Sequence, residues 1–301
     1  MSCGPSLPLR AWRAAAVLLV LVVAAVAALT TGQASASPAP DAPRFKPKCE
    51  HLEQFDAGNF PRRPTIDNRV LPMVPGTRTT LEGTVEGVPH RVDFIVTDLT
   101  KVIDGTTVLV IWDTDTSEGE VLESELSFFA QDEDGNVWNL GEYPEEYEEG
   151  VFVGAPSTWI AGQADAEAGI HMQARPEVSS LQYIQGFAPA VEFFDCAKVV
   201  GDSQQLCVQA GCFDDVLVTY ETNLAVRGDG IQSKYHAPGI GIVRIGAVDP
   251  PTGEVLELVG HGRLSSDEMN LARRQALALD RRGYEFGEGY DATSPATRLK
   301  R

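Results

Sequence analysis

The chain has 301 residues with 24 basic and 43 acidic side chains, which give a formal net charge of −19. Its composition, 43% hydrophobic and 22% charged, is typical of a globular protein and excludes a disordered chain, a collagen or a small disulfide-dense protein. The acidic balance argues against nucleic acid and anionic membrane surfaces as partners, because binding to either depends on Lys and Arg.

Residues 1–36 have the pattern of a signal peptide. Two arginines precede an apolar run over residues 14–29, and Ala34 and Ala36 then give the A-x-A form that signal peptidase recognises. We therefore predict cleavage after Ala36 and an extracytoplasmic protein, secreted or in the cell envelope, with no membrane attachment after cleavage. The alternative is an uncleaved N-terminal anchor, although the apolar run is shorter than the roughly 20 residues that a spanning helix needs.

Residues 37–66 are rich in Pro, which lacks an amide donor and blocks helices, so they predict an extended arm with little regular structure. Residues 67–262 predict an antiparallel β domain. Val92, Phe94 and Val96 alternate with polar residues, and this period of two is the signature of a strand with one buried face.

Further strands follow at hairpin-like intervals. Residues 122–130 place Leu, Leu, Phe and Ala on one face, and residues 108–112 form a continuous apolar run, as in a strand covered on both sides. Residues 143–190 are less regular, and a cluster of glutamates between 142 and 149 suggests a solvated loop or a surface for a basic partner or cation. The pattern predicts a mainly β fold, an antiparallel meander that forms a curved sheet or barrel-like domain.

Residues 263–301 predict one C-terminal α-helix and a polar tail. Ser265 and Glu268 have the spacing of a capping box, and Gly283 is placed where a helix would stop. Between them, apolar residues recur at helical spacing: Met269, Ala272, Ala276 and Leu279.

Four cysteines remain after the predicted cleavage, and an even number in an exported chain favours two disulfides with three possible pairings. A hairpin predicted around residues 199–203 would bring Cys196 and Cys207 together, and Cys49 in the arm could join the same region. A Cys-x4-Cys metal site and a reactive thiol are the alternatives, but the five histidines are too scattered for zinc. The cysteines are Cys49, Cys196, Cys207 and Cys212.

Several segments resemble a family of exported bacterial β-rich proteins of unknown function. Residues 66–77 (IDNRVLPMVPGT) are similar to its I-D-N…P-G-T opening, and residues 130–142 (AQDEDGNVWNLGE) to its D-G-N-V-W…G-E segment. Residues 213–219 and 235–241, the latter with A-P-G-I-G, resemble its later strands. Leu81 and Asn139 stand where the family has aromatic residues. The resemblance implies a secreted β-rich domain and brings no catalytic residues.

Calcium is the best metal candidate, because two short segments supply carboxylate oxygens at alternate positions. Neither segment places Gly and Glu where an EF-type loop requires them, so we interpret both mainly as hairpin turns. The candidate ligands are Asp113, Asp115, Asp132 and Asp134.

No motif for catalysis or for a cofactor is recognisable. Residues 201–205 contain Gly-Asp-Ser without the second Gly of a nucleophile elbow, and His-Glu-x-x-His and phosphate-loop motifs are absent from the sequence. His236 and His261 could form an acid–base pair with a carboxylate, although a hydrogen-bonded histidine is the more common arrangement.

The leading hypothesis is therefore an envelope β domain with a non-enzymatic binding or structural role and an unknown partner. The first alternative is a carrier that holds a hydrophobic small ligand in an apolar cavity of the curved sheet. A calcium-stabilised domain is the second alternative, and an enzyme with a dispersed site is the third.

Overall fold

The computed structural model describes residues 47–50, 52–249 and 253–300. The predicted signal peptide, with Ala34 and Ala36, lies outside these residues, as does the first part of the Pro-rich arm. The described part of the arm contains one short 3-10 turn, Ala57–Asn59, and a β-bridge that joins Ile66 to Met73. Within the described residues, no helix combines the length and the hydropathy that crossing a membrane requires.

The mainly β fold is confirmed. Most of the chain forms antiparallel strands, joined by turns in which Gly, Asp and Glu take up positive φ angles. The strands are β1 (Thr77–Val85), β2 (Val88–Ile103), β3 (Thr106–Ser117), β4 (Glu120–Gln131), β5 (Val137–Glu148), β6 (Val151–Gly154), β7 (Trp159–Ile160), β8 (Glu167–Met172), β9 (Tyr183–Ala188), β10 (Phe193–Val208), β11 (Gly211–Asn223), β12 (Ile231–Ala237), β13 (Gly241–Asp249), β14 (Glu254–Arg263) and β15 (Thr297–Arg298).

Twelve of these strands close into a barrel. The order of neighbours is β1-β14-β13-β12-β11-β10-β9-β8-β5-β4-β3-β2, and β2 pairs again with β1. The short strands β6 and β7 pair with β5, and β15 pairs with β2. A closed barrel has an inner and an outer face, and the residues of each strand alternate between them. This alternation decides which side chains reach the interior.

Helix α1 (Ser266–Phe286) packs on the outside of the barrel against β2, β3 and β4. It begins at the predicted capping box, in which Ser265 and Glu268 bond to each other's backbone amides. The predicted stop at Gly283 is wrong, because the helix continues to Phe286. Gly283 is instead a packing position, since a Cβ there would lie 2.5 Å from the ring of Tyr290.

The core on this outer side joins the helix to the barrel wall. Its members are alternate residues of the strands and one face of the helix, among them Leu99, Val110, Leu126, Phe128, Ala276, Leu279 and Tyr290.

The four cysteines form two disulfides, Cys49–Cys196 and Cys207–Cys212. The first joins the arm to β10, and the second joins the ends of β10 and β11. The hairpin predicted around residues 199–203 is wrong, because those residues belong to β10, whose register against β11 shifts repeatedly at bulges there. Cys196 and Cys207, which that hairpin would have brought together, therefore bond to different cysteines. Two disulfides fit the extracytoplasmic location, since such bonds persist in oxidising compartments.

Candidate functional site in the barrel lumen

The barrel encloses a cavity of about 280 Å³. Its lining comes from nine strands, β1 to β5, β8 and β12 to β14, so the cavity lies in the lumen. One part of the lining is apolar and includes Phe94, Val96, Ile111, Phe129 and Ile245. The other part is polar and includes Asp113, Glu125, Glu142, His171, Gln232 and Lys234.

The alternation of β3 and β4 explains this lining. Leu126 and Phe128 of β4 face the helix. The alternate residues of the same strand face the lumen: Glu125, Ser127 and Phe129. Asp113 of β3 lies directly opposite Glu125 in the ladder. Two carboxyl groups therefore stand side by side on one wall.

One end of the lumen is filled by the segment that precedes β1. Ile66, Val70 and Leu71 pack against inward-facing residues of β2, β3 and β4. Asn68 anchors this segment, because its amide donates to the carbonyls of Gly135 and Gln173 at 3.2 and 3.1 Å and its oxygen accepts from two backbone amides. The apolar part of the cavity is closed by this plug.

Glu142 reaches the lumen through a bulge in β5. The register between β4 and β5 shifts after Ser127, next to Gly141, whose φ of +148° and close approach to the backbone of β7 leave no room for a Cβ. Glu142 accepts hydrogen bonds from Asn139 Nδ2 at 2.6 Å and from Trp159 Nε1 at 3.0 Å. Both of its oxygens therefore already have donors, yet burial still raises its pKa.

Asp113 and Glu125 have fewer hydrogen-bond donors than Glu142. Ser127 Oγ donates to Asp113 Oδ2 at 2.8 Å, whereas Asp113 Oδ1 is buried and has no hydrogen-bond partner in the described part of the chain. Glu125 has neither a hydrogen bond nor an ion pair with any described residue. Burial raises the pKa of Asp113 to about 8 and that of Glu125 well above its usual value, and neighbouring carboxylates add to both shifts.

One ion pair joins the neighbouring strands β11 and β12 on one wall of the lumen. Lys234 Nζ lies 2.7 Å from Glu221 Oε2, and Thr219 Oγ1 donates to Glu221 Oε1 at 2.8 Å. Burial alone would raise the pKa of Glu221, but the Lys234 ammonium and nearby groups hold it at about 2. Since the hydroxyl proton of Thr219 is used, His236 donates from Nε2 to that oxygen at 3.3 Å.

The two buried histidines of this region are neutral, and a third, the exposed His261, also lines the cavity, with its Nδ1 2.9 Å from Thr79 Oγ1. Burial lowers the pKa of His171 to about 4 and that of His236 to about 3. His171 also packs against Phe129 in a tilted arrangement, with ring centroids 5.0 Å apart. Lys234 is therefore the permanent cation among these groups.

A second depression of about 380 Å³ adjoins the cavity and shares Gln232 and Lys234 with it. It is lined by further acids, among them Asp195, Glu221, Asp229 and Glu254. Burial raises the pKa of Asp195 to about 7. The lumen thus changes from apolar at the plugged end to acidic towards this depression.

The four predicted calcium ligands lie in different surroundings. Asp113 faces the lumen, and Asp115 lies beside His90, with 2.5 Å between Oδ1 and Nε2. Asp132 accepts from the backbone and side chain of Asn136 and from Trp138, while Asp134 is exposed. Among the described residues, no group of three or more His, Cys, Asp or Glu side chains has the arrangement of a metal site. The segment from Asp113 is strand and not a turn; its turn comes later, at Glu118 and Gly119.

The glutamate cluster at 142–149 is also placed differently from the predicted loop. β5 continues to Glu148, so Glu142 enters the lumen and Glu145 lies under helix α1. The sequence missed Glu125 and Glu142 as site residues because alternation shows two faces of a strand without showing that the polar face is enclosed. The signal that was available is acidic residues at alternate positions in neighbouring strands.

Comparison with known proteins gives no assignment. No family model and no curated protein matches this chain. A Bacteroides fragilis protein, named as exported and of YmcC-like fold, aligns over 65% of this chain and 100% of its own, with 13% identity and a TM-score of 0.40. A protein of Parabacteroides distasonis named as a lipoprotein aligns over 65% of this chain and 99% of its own, with 11% identity and a TM-score of 0.31. At these values neither likeness assigns a function, and the sequence motifs described above remain a resemblance.

Proposed function

We propose that this chain is an extracytoplasmic, non-enzymatic carrier that holds a small ligand in the lumen of its barrel. The observation that carries this proposal is the cavity of about 280 Å³, whose walls come from nine strands. A barrel of about eight strands is filled by its own side chains, whereas twelve strands leave more interior than side chains occupy. The volume is near the lower limit of ordinary small-molecule sites, which suits a compact ligand.

The chemistry of the lining supports a ligand with an apolar part. Val96, Ile111 and Phe129 line the plugged end, where they pack in one buried cluster with Leu71, and the half-buried Phe94 also lines the cavity. Transfer of apolar surface from water into such a site is favourable by roughly 25 cal/mol for each Å² buried. Burial of its apolar part in this cavity therefore favours binding of the ligand.

A fluorescent apolar probe, 1-aminoanthracene, tests the proposal. We expect its emission to rise on addition of the wild-type protein, and Ile111→Trp, which fills the cavity, to abolish the rise. Val121→Trp adds the same ring at an exposed position of β4 and should leave the rise unchanged. Val96→Phe is a smaller change to use if Ile111→Trp fails to fold. Emission that does not rise, or that survives in folded cavity-filled variants, would contradict the proposal.

A further inference from the structure

Within the described residues, the two facing acids of the lumen wall have no hydrogen-bonded cation, whereas other buried acids do; Lys234 lines the same cavity but opposes the raised pKa of Glu125 only through its charge. Asp280 is paired with Lys101, Glu145 with Arg282, and Glu221 with Lys234. Asp113 and Glu125 lie opposite each other with no such partner among the described residues, and like charges at facing positions destabilise a sheet. The buried, unpartnered Oδ1 of Asp113 belongs to the lining of the cavity.

We propose that the ligand of the lumen is an amphipathic organic cation, whose amino or guanidinium group lies against Asp113 and Glu125 while its apolar part lies against Ile111 and Phe129. This inference rests on the proposed carrier function and names its ligand class. Charge-assisted hydrogen bonds from N–H to carboxylate are the strong form of this contact.

The register of the strands places the two halves of the site next to each other. Phe94 of β2 pairs with Asp113 of β3, and Ile111 lies one inward position further towards the plug. On β4, Phe129 follows Glu125 by two inward positions. An ammonium group held by the carboxyls would therefore direct an attached alkyl or aryl group into the apolar end.

An organic cation fits this wall better than a metal ion. The oxygens of Glu142 already accept from Trp159 and Asn139, which leaves Asp113 and Glu125 to receive the ligand. No described group of three potential ligands converges as a metal ion needs. Two carboxyls on one wall beside an apolar surface match a charged head that carries hydrogen-bond donors and a hydrocarbon tail.

Binding of such a cation is coupled to proton release. Burial raises the pKa of Asp113 to about 8, so its carboxyl holds a proton near neutral pH, and burial also raises the pKa of Glu125. A cation favours an ionised carboxylate, and one proton leaves to solvent for each monovalent cation that enters. The charge within the lumen is then conserved.

Three ligands with the same hydrocarbon chain test the inference: octylamine, octan-1-ol and octanoate. By isothermal titration calorimetry at pH 7.5, we expect octylamine to bind the wild-type protein roughly 10-fold or more tightly than octan-1-ol, and octanoate to bind most weakly. Repeating the octylamine titration in buffers of different ionisation enthalpy should show protons released on binding.

Glu125→Gln should reduce the affinity for octylamine roughly 10-fold and leave that for octan-1-ol nearly unchanged. Asp113→Asn should act in the same direction and serves as the second variant. Glu120→Gln changes an exposed acid of the same strand and is the matched control. Octan-1-ol that binds as tightly as octylamine, or selectivity that persists in both lumen variants, overturns the cation while leaving the carrier function intact. If none of the three ligands binds, both proposals fail.

Discussion

Three carboxylates lie between helix α1 and the barrel wall, and each has a cation within hydrogen-bond distance. On the lumen wall, by contrast, Asp113 and Glu125 have no hydrogen-bonded cation among the described residues, although Glu221 nearby is paired with Lys234. The acids beneath the helix are thus paired, whereas the two facing acids of β3 and β4 are not. A buried unpaired charge is costly, so the inner arrangement indicates compensation by protons or by a ligand. The outer pairs are Lys101–Asp280, Arg282–Glu145 and Arg273–Asp98.

The outer pairs also determine where the helix sits. Asp280 accepts from Lys101 Nζ at 2.7 Å, from Tyr290 OH at 2.9 Å and from the amide of Ala296 at 3.0 Å, while the Lys101 ammonium contacts the face of the Tyr290 ring. Glu145 accepts from both Tyr143 and Tyr147 in addition to Arg282. Asp280 thus accepts three hydrogen bonds and Glu145 four, which satisfies these buried carboxylates.

The largest effect is expected when an outer pair is broken from one side. Asp280→Ala leaves the Lys101 side chain, which is 0% exposed, as an isolated buried cation, and we expect a loss of about 3–5 kcal/mol in the free energy of unfolding. Urea denaturation followed by circular dichroism measures it. The double variant Lys101→Met with Asp280→Leu removes both charges and should recover much of the loss. A loss that is no smaller in the double variant would show that the charge is not the cause.

Glu221, the lumen acid that is paired with Lys234, should lose stability in the same way when its pair is broken. Lys234→Met leaves Glu221 buried without its ammonium, and we expect a loss of about 2–4 kcal/mol at pH 7. Adding Glu221→Gln to this variant should restore most of the stability, since Gln can still accept from Thr219. If Lys234→Met is neutral by urea denaturation, the distinction between paired and unpaired lumen acids is wrong.

The pH dependence of stability tests the unpaired acids directly. Because the pKa of Asp113 is raised to about 8 and those of Glu123 and Asp195 to about 7, the folded protein holds protons between pH 6.5 and 8.5 that the unfolded chain has already released. Stability must therefore fall as pH rises through this window. His171, with a pKa lowered to about 4, changes stability only at lower pH.

In numbers, we expect thermal or urea denaturation to show a fall of about 1–2 kcal/mol for each of these carboxyls between pH 6.5 and 8.5. Asp113→Asn should flatten the curve and make the protein more stable than wild type at pH 8.5. A wild-type curve that rises through this window would show that the lumen acids are ionised and stabilised in the empty protein.

The sequence predicted the barrel-like β fold and the helix start because both depend on local patterns. Alternating residues such as Val92 and Phe94 mark strands, and Ser265 with Glu268 marks a helix start through contacts three residues apart. The site could not be predicted in the same way. Whether Glu125 faces water or a lumen depends on closure of β1 against β2 and β14, which is set by pairings far apart in the chain.

The two cysteine pairs show the same limit. Cys207 and Cys212 meet across a short turn, but Cys49 and Cys196 are separated by 147 residues and meet only because the arm crosses β10. The bulges in β10 have the composition of a hairpin, since both contain Gly, Asp and Ser with a residue at positive φ, here Ser203, and sequence alone does not separate the two.

The smallest effect is expected where an outer pair is exposed to solvent. Asp98 accepts from Arg273 through two bonds of 2.8 and 2.7 Å and from Arg298 at 3.0 Å, but the Arg298 side chain is 63% exposed. Water already solvates that guanidinium, so Arg298→Ala should cost no more than about 1 kcal/mol. Arg273→Ala should cost more, because its partly buried fork supplies both strong bonds to Asp98. Urea denaturation measures the free energy of unfolding that each variant loses. Equal losses in the two variants would mean that burial does not set the strength of these ion pairs.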